Sequence, residues 1–256
     1  MHKKPHWCNG RSAPCCSTNN FHSKQVSADL LRLPLRSLQA PLLYQHWGQR
    51  LWLSAYRCIY WEEEQALILS DLHFGKIGHF RKEGIAVPQQ LYREDLQRLF
   101  FATQHFKPKR LIVVGDFFHS HFNKELDLFS KWRSDLPHLQ IDLVMGNHDI
   151  LGRPWYASQD ITLHREEMLM GPFHFMHAPP QQATEEVNTY CFSGHIHPGI
   201  RIHGSGKQSL RFPCFYFTQS HCILPAFGSF TGLKLVEANP NEKVFAIVAQ
   251  EVIEMV

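Results

Sequence analysis

Three short apolar runs, Ala66–Leu69, Leu111–Val114 and Ile141–Met145, are separated by two helix-like stretches, and each run gives way to an acid or an amide at Asp71, Asp116 or Asn147. Between the first two runs, Tyr92, Leu96, Leu99, Phe100 and Thr103 recur at the spacing of one helical face behind Pro88. This predicts a helix of about five turns that Lys107-Pro108 stops. A second helical stretch is expected near Leu126–Arg133. The wholly apolar Leu111–Val114 suits a strand covered on both faces. Strand, helix, strand, helix, strand implies parallel pairing with right-handed crossovers, so the three strand ends should emerge along one edge, where such sheets place their ligand crevice.

Before this unit, "RLWLSA" and "RCIYW" read as two short strands. Beyond Pro154 the pattern changes to short strands broken by Gly and Pro: Phe173–Met176, Tyr190–Ser193, Gly199–His203, Leu210–Phe217, Gly232–Val236 and Val244–Val248. These are expected to form a second sheet packed on the first, with the abundant Phe and Tyr between the sheets rather than serving as base-stacking platforms. At 256 residues and 44% hydrophobic, the chain can bury its own core. Residues 1–28, poor in large apolar side chains, read as a disordered N-terminal extension, and 29–256 as a single domain.

That extension also carries Lys3, Lys4, Arg11 and Lys24 and no acid; with these four set aside, the net charge of +3 becomes −1. The basic balance is therefore no argument for a nucleic-acid-binding face on the folded body. The seven cysteines show no CxxC pair and no disulfide framework; Cys8, Cys15 and Cys16 lie in the extension beside His2, His6 and His22. No apolar window is long enough for a membrane span, and "MHKKPHWCNG" is followed by no apolar signal core, so a cytoplasmic location without membrane contact is expected.

Chemistry gathers where the apolar runs end: Asp71-x-His73, Gly115-Asp116, Gly146-Asn147-His148-Asp149, Met176-His177 and Gly194-His195-Ile196-His197. Asp71, His73, Asp116, Asn147, His177, His195 and His197 offer a mixture of oxygen and nitrogen donors suited to Mn²⁺, Fe or Zn²⁺, with Mn²⁺ preferred here, and no thiolate. Seven donors exceed one ion's need and complete two four-coordinate ions only if a carboxylate bridges. A bridged pair about 3.5–4 Å apart is an arrangement that hydrolyses phosphate esters. The glycines before Asp116, Asn147 and His195 allow close backbone approach.

In this order the motifs resemble the calcineurin-type metallophosphoesterase superfamily. The stretches "SDLHFGK", "FRKEGIAVP", "GDFFHS", "GNHD", "GHIHP", "PCFYF" and "LPAFGSFTG" are further similar to the PdeM-type phosphoesterases associated with a bacterial ATP-dependent DNA ligase, a likeness spanning roughly residues 42 to 250. The resemblance implies a four-layer α/β/β/α sandwich of two mixed β-sheets flanked by helices. It also implies two divalent ions, one on Asp71, His73, Asp116 and His197, the other on Asp116, Asn147, His177 and His195, with Asp116 bridging. Where many superfamily members carry an acid after the GD motif, this chain has Phe117-Phe118-His119.

On this reading Asn147 supplies a neutral oxygen that limits the site's negative charge. His148 points past the metals to protonate or stabilise the leaving group, and Asp149 either orients that imidazole or caps the following turn. Arg81 and Lys82 are candidates for contact with a substrate phosphate. His79, His119, His121 and His221 could line the crevice rim, but solvated or capping roles are favoured for them. The resemblance implies a phosphodiesterase or nuclease in DNA repair, with DNA as substrate and DNA ligase and repair proteins as partners. The alternatives are a hydrolase of a small or lipid-linked pyrophosphate, disfavoured by the lack of a long amphipathic insert, and a non-catalytic interaction module, disfavoured because every ligand type is present.

Overall fold

The structure is a computed structural model, described here for residues 40–76, 78, 80, 84, 90–119, 124–180, 189–203 and 208–255. The N-terminal extension, Pro88, Arg81, Lys82, His79 and His121 lie outside the described residues. The first sheet opens as a meander of β1 (Leu42–His46), β2 (Gln49–Ser54), β3 (Cys58–Trp61) and β4 (Ala66–Leu69), all antiparallel. The β1–β2 hairpin turns through Trp47 and Gly48, both with positive φ, as a two-residue turn matched to strand twist requires. From β4 the sheet becomes parallel through β5 (Arg110–Val114), β6 (Gln140–Val144) and β7 (Ile161–His164). The crossovers hold α1 (Gln90–Phe106), α2 (Lys124–Ser134) and α3 (Arg153–Ser158).

The second sheet comprises β8 (Glu167–Met170), β9 (Phe173–Met176), β10 (Tyr190–Ser193), β11 (Pro198–His203), β12 (Ser209–Phe217), β13 (His221–Ile223), β14 (Lys234–Leu235), β15 (Lys243–Val248) and β16 (Glu251–Glu254). Its main path runs β14-β11-β12-β13-β10-β9-β8, with β15 beside β12 and β16 beside β15. The strands β9, β10 and β13 are mutually parallel neighbours, so their carboxyl ends share an edge.

The two-residue period of the parallel strands sorts their side chains into two cores. Leu67, Leu69, Leu111, Val113, Ile141 and Leu143 meet Leu96, Leu99 and Ala102 of α1, Leu126, Phe129 and Trp132 of α2, and Tyr156 of α3. The intervening Ala66, Ile68, Ile112, Val114 and Val144 face Phe173, Phe175, Tyr190, Phe192, Phe215, Phe217 and Phe245 of the second sheet. Each fully buried aromatic of that inner layer contributes about 1.5–3 kcal/mol relative to exposure, so the sheets are fixed against each other from both sides of the rim.

The expected two-sheet α/β architecture is thus present. Among the described residues the layers are helix, sheet, sheet, with no helix over the outer face of the second sheet. Two expectations change in detail. Residues after Pro154 do not all belong to the second sheet, because β7 joins the first one beside β6. The Pro154 segment is itself a short helix, with proline in its first turn, where a missing N–H costs nothing. The four described cysteines, Cys58, Cys191, Cys214 and Cys222, are buried and unpaired. Among the described residues no helix is long and apolar enough to cross a membrane.

Candidate metal centre

All five motifs follow strand ends. Past β4 and β5 the parallel ladder continues into the loops: Asp71 N–H donates to the Gly115 carbonyl at 3.1 Å, His73 N–H to Asp116 at 2.9 Å and Phe74 N–H to Phe117 at 2.9 Å. On the second sheet Gly194 N–H donates to the His177 carbonyl at 3.0 Å. The sheets are tied at this rim by His195 N–H, which donates to the Asp71 carboxylate at 3.0 and 3.3 Å.

Six of the seven expected ligands fall into two clusters, Asp71–His73–His197 and Asp116–His177–His195, with the ligand atoms of each cluster within 4.8 Å of one another. His197 Nε2 lies 3.4 Å from Asp71 Oδ1. His177 Nε2 and His195 Nδ1 converge to 3.1 Å. Asp116 Oδ2 stands between the clusters, 3.6 Å from His177 Nε2 and 3.9 Å from His73 Nε2. The seventh residue, Asn147, is exposed on the turn after β6. That turn packs on Asp116: His148 N–H donates to Asp116 Oδ1 at 2.9 Å, and a Cβ on Gly146 would sit 2.3 Å from the same oxygen.

The local backbone is unusual for these residue types. Asp71, His73, Asp116, His195 and His197 all have φ between 48° and 66°, the left-handed region that Asp and His seldom occupy. Such residues cost about 1–3 kcal/mol each and persist where the surroundings impose them. Two glycines show how tightly they do. A Cβ on Gly115 would lie 1.8 Å from His177 Nδ1, and one on Gly194 would lie 2.4 Å from Asp71 Oδ2. Gly194→Ala is therefore expected to displace Asp71, costing about 1–3 kcal/mol of stability by overpacking together with metal retention at the Asp71 cluster. Thermal melts paired with metal analysis test this, and unchanged values in both would refute it.

The donors suit divalent ions. Asp71 is 0% and Asp116 3% exposed, so two carboxylates are withdrawn from water where compensating positive charge is needed. Among the described residues both ring nitrogens of His73 are buried without a hydrogen-bond partner, an omission that coordination to a cation would repair. Burial, assisted by the nearby Lys76, His197, His119 and His148, pushes the His73 pKa down to about 2 and keeps it in the neutral, ligating form. Burial likewise lowers the pKa of His177, opposed by Asp116.

His148 is exposed, its ring 4.1 Å from that of His119 and 5.4 Å from that of His73. Of the two roles open to Asp149, the hydrogen bonds to its carboxylate serve the structural one. Its buried carboxylate accepts Phe118 N–H at 3.0 Å and Gly146 N–H at 2.9 Å, tying the turn after β6 to the loop after β5. Burial raises its pKa to about 7 against those two donors. His221 serves its own turn, facing the Thr218 and Ser220 hydroxyls at 3.1 Å.

His119, weighed from the sequence as a rim residue or a solvated or capping one, lies with its ring 4.1 Å from that of His148, tilted by 36°. One neighbour escaped sequence reasoning. Lys76 is half-buried beside His73; burial lowers its pKa, while Asp116 and Asp71 raise it. Its only sequence signal was its place three residues after His73.

No protein-family model matches this chain, and no curated protein does. Among solved structures, a nuclease MPE from Pseudomonas putida is similar at 30% identity and a TM-score of 0.71, over 84% of this chain and 100% of that one. A phosphoesterase from E. coli, YfcE, is more distant, with 13% identity and a TM-score of 0.37 over 73% of this chain and 96% of the other. Matched over the whole length of the P. putida protein at that identity, and carrying paired carboxylate–imidazole clusters on the same fold, the chain belongs to the metallophosphoesterases and is a metal-dependent phosphoesterase.

Proposed function

We propose that this enzyme is a phosphodiesterase that cleaves DNA in a repair context, using two divalent ions, manganese by preference. The observation that carries the two-ion reading is the position of Asp116 Oδ2, within 3.9 Å of an imidazole from each cluster. The choice of substrate class draws on the similar P. putida protein, which is a nuclease.

Asp71, His73 and His197 would hold one ion, His177, His195 and the Asn147 amide the other, and Asp116 both. When bound, such a pair supplies a nucleophile at neutral pH and the positive charge that steadies an in-line displacement at phosphorus. His148 donates a proton to the departing oxygen. Asp149 keeps that turn in register, so it acts on the reaction only through position. Arg81 and Lys82 would meet substrate phosphate. The reading also takes the enzyme to be cytoplasmic and to work with a DNA ligase and associated repair proteins. A body of net charge near −1 past residue 28 neutralises few phosphates, so partners that deliver the DNA suit it.

The test is to purify the full chain, strip it with chelator, reload Mn²⁺, Fe²⁺ or Zn²⁺, and compare turnover of a phosphomonoester, a simple phosphodiester, a lipid-linked pyrophosphate and single-stranded and duplex DNA, with Asp116→Asn as blank. Activity on DNA and on the simple diester that disappears on chelation and returns with Mn²⁺ is expected. Hydrolysis of the pyrophosphate alone, or DNA cleavage that survives chelation, would overturn the reading.

A further inference from the structure

After β13 the chain crosses the loop that carries Asp71. Phe227 N–H donates to the Ser70 carbonyl at 2.8 Å and Gly228 N–H to the Asp71 carbonyl at 3.0 Å. Ser70 and Ala226 form an isolated parallel bridge, and a Cβ on Gly228 would sit 2.6 Å from the Leu72 carbonyl oxygen. The left-handed backbone of Asp71 is therefore cast against residues 226–228, and whatever fixes that segment fixes Asp71.

Two arginines and an aspartate do so. Arg57, in the turn between β2 and β3, donates through Nη1 to the carbonyls of Ala226 at 3.2 Å, Phe227 at 3.5 Å and Gly228 at 3.1 Å. Arg98 of α1 donates to the Phe227 carbonyl through Nη1 and to Ser229 Oγ at 2.7 Å through Nη2, with its guanidinium 5.2 Å from the centre of the Phe227 ring. Asp95, almost one turn earlier, accepts Ser229 N–H at 3.0 Å and Ser229 Oγ–H at 2.7 Å and pairs with Arg98 at 3.1 Å. Each carbonyl from 226 to 228 thus meets a guanidinium. Two buried or half-buried cations against one carboxylate make an arrangement that core packing does not call for.

We propose that Arg98, with Arg57 and Asp95, forms a positioning clamp that sets the metal affinity of the Asp71–His73–His197 cluster through the backbone of Asp71. The inference rests on the two-ion reading above. The clamp reaches the first cluster directly, through three successive residues of its loop, whereas Asp116 and His195 meet that loop only by hydrogen bonds at His73 and Asp71, so the first ion should feel the clamp more than the second. It also depends on the fork of the guanidinium, whose two nitrogens at fixed spacing reach the Phe227 carbonyl and Ser229 Oγ, where an ammonium would have to serve both from a single nitrogen.

The test is Mn²⁺ titration of the metal-free full chain, followed by calorimetry and by the Mn²⁺ electron-paramagnetic-resonance signal, for wild type, Arg98→Met, Arg98→Lys, Ser229→Ala and Asp71→Asn. The ion weakened more in Asp71→Asn identifies the first cluster. Both Arg98 variants are expected to weaken that same ion by about 10–100-fold, the usual penalty for losing a partner that orients a ligand, and to weaken the other far less. Ser229→Ala, which removes one hydroxyl and no charge, should weaken the same ion to a smaller degree and keeps the question open to measurement if Arg98→Met does not fold. Two ions bound in Arg98→Met and Ser229→Ala with wild-type affinities would overturn the clamp alone. So would parallel weakening of both ions in step with the melting temperature, or full rescue by lysine. A wild-type chain that takes up no Mn²⁺ would overturn the clamp and the proposed function together.

Discussion

Asp116→Asn is expected to lower turnover of a phosphodiester by about 10³-fold or more, the larger part of it through loss of the paired ions. The substitution preserves shape and one acceptor, so Oδ1 can still receive the His148 N–H that it accepts at 2.9 Å. What changes is the other atom: Oδ2, 3.6 Å from His177 Nε2 and 3.9 Å from His73 Nε2, becomes an amide nitrogen with no lone pair to share and no charge. Two cations on the two clusters would lose the anion they share, and a bound metal pair would supply several kcal/mol of transition-state stabilisation, equivalent to about 10³ in rate. Asp71→Asn removes a ligand from one cluster only, and an amide oxygen can still accept the His195 N–H, so it should cost less and weaken the second ion far less than the first. Rate measurements combined with metal counts decide the matter: an Asp116→Asn enzyme with both ions and activity within tenfold of wild type would end the bridging assignment.

The order of the parallel strands and the convergence of five motifs on one rim were legible because both follow from local patterns. Apolar runs such as Leu111–Val114 mark doubly covered strands, and a βαβ alternation leaves little freedom in where their ends emerge. The glycines do mark close approaches, but what presses against Gly115 and Gly194 is the side chain of a neighbouring ligand, His177 or Asp71, where the sequence pointed to backbone and metal.

Less legible was anything decided across the fold. The strand β1 alternates half-buried with exposed positions in "LLYQH" and announces itself only through the turn at Trp47-Gly48. Pro154 read as a boundary when it begins a helix. The left-handed conformation of five ligands could not be foreseen, since Asp and His enter that region more often than most side chains but still in only a small minority of cases. The role of Asp149 awaited Phe118, which lies 31 residues away in the chain, and the contacts of Arg57 with residues 226–228 span 169 to 171.

His148→Ala should behave in the opposite manner to Asp116→Asn: turnover falls by about 10²–10⁴, the range for losing a general acid, while both ions stay. The side chain belongs to neither cluster, and its one bond to them is made by the backbone N–H, which alanine keeps. The imidazole is exposed beside the first cluster, 5.4 Å from the His73 ring, with the tilted His119 ring 4.1 Å away, so it faces the solvent side from which a leaving group must depart. The turn that carries it is held by Asp149 from below, again through backbone amides that the substitution does not touch. The loss should therefore fall on kcat, with metal content and melting temperature at wild-type values. If His148→Ala instead shed an ion, its imidazole would be a ligand; if it turned over substrate within tenfold of wild type, proton donation from this position would have no part in the reaction.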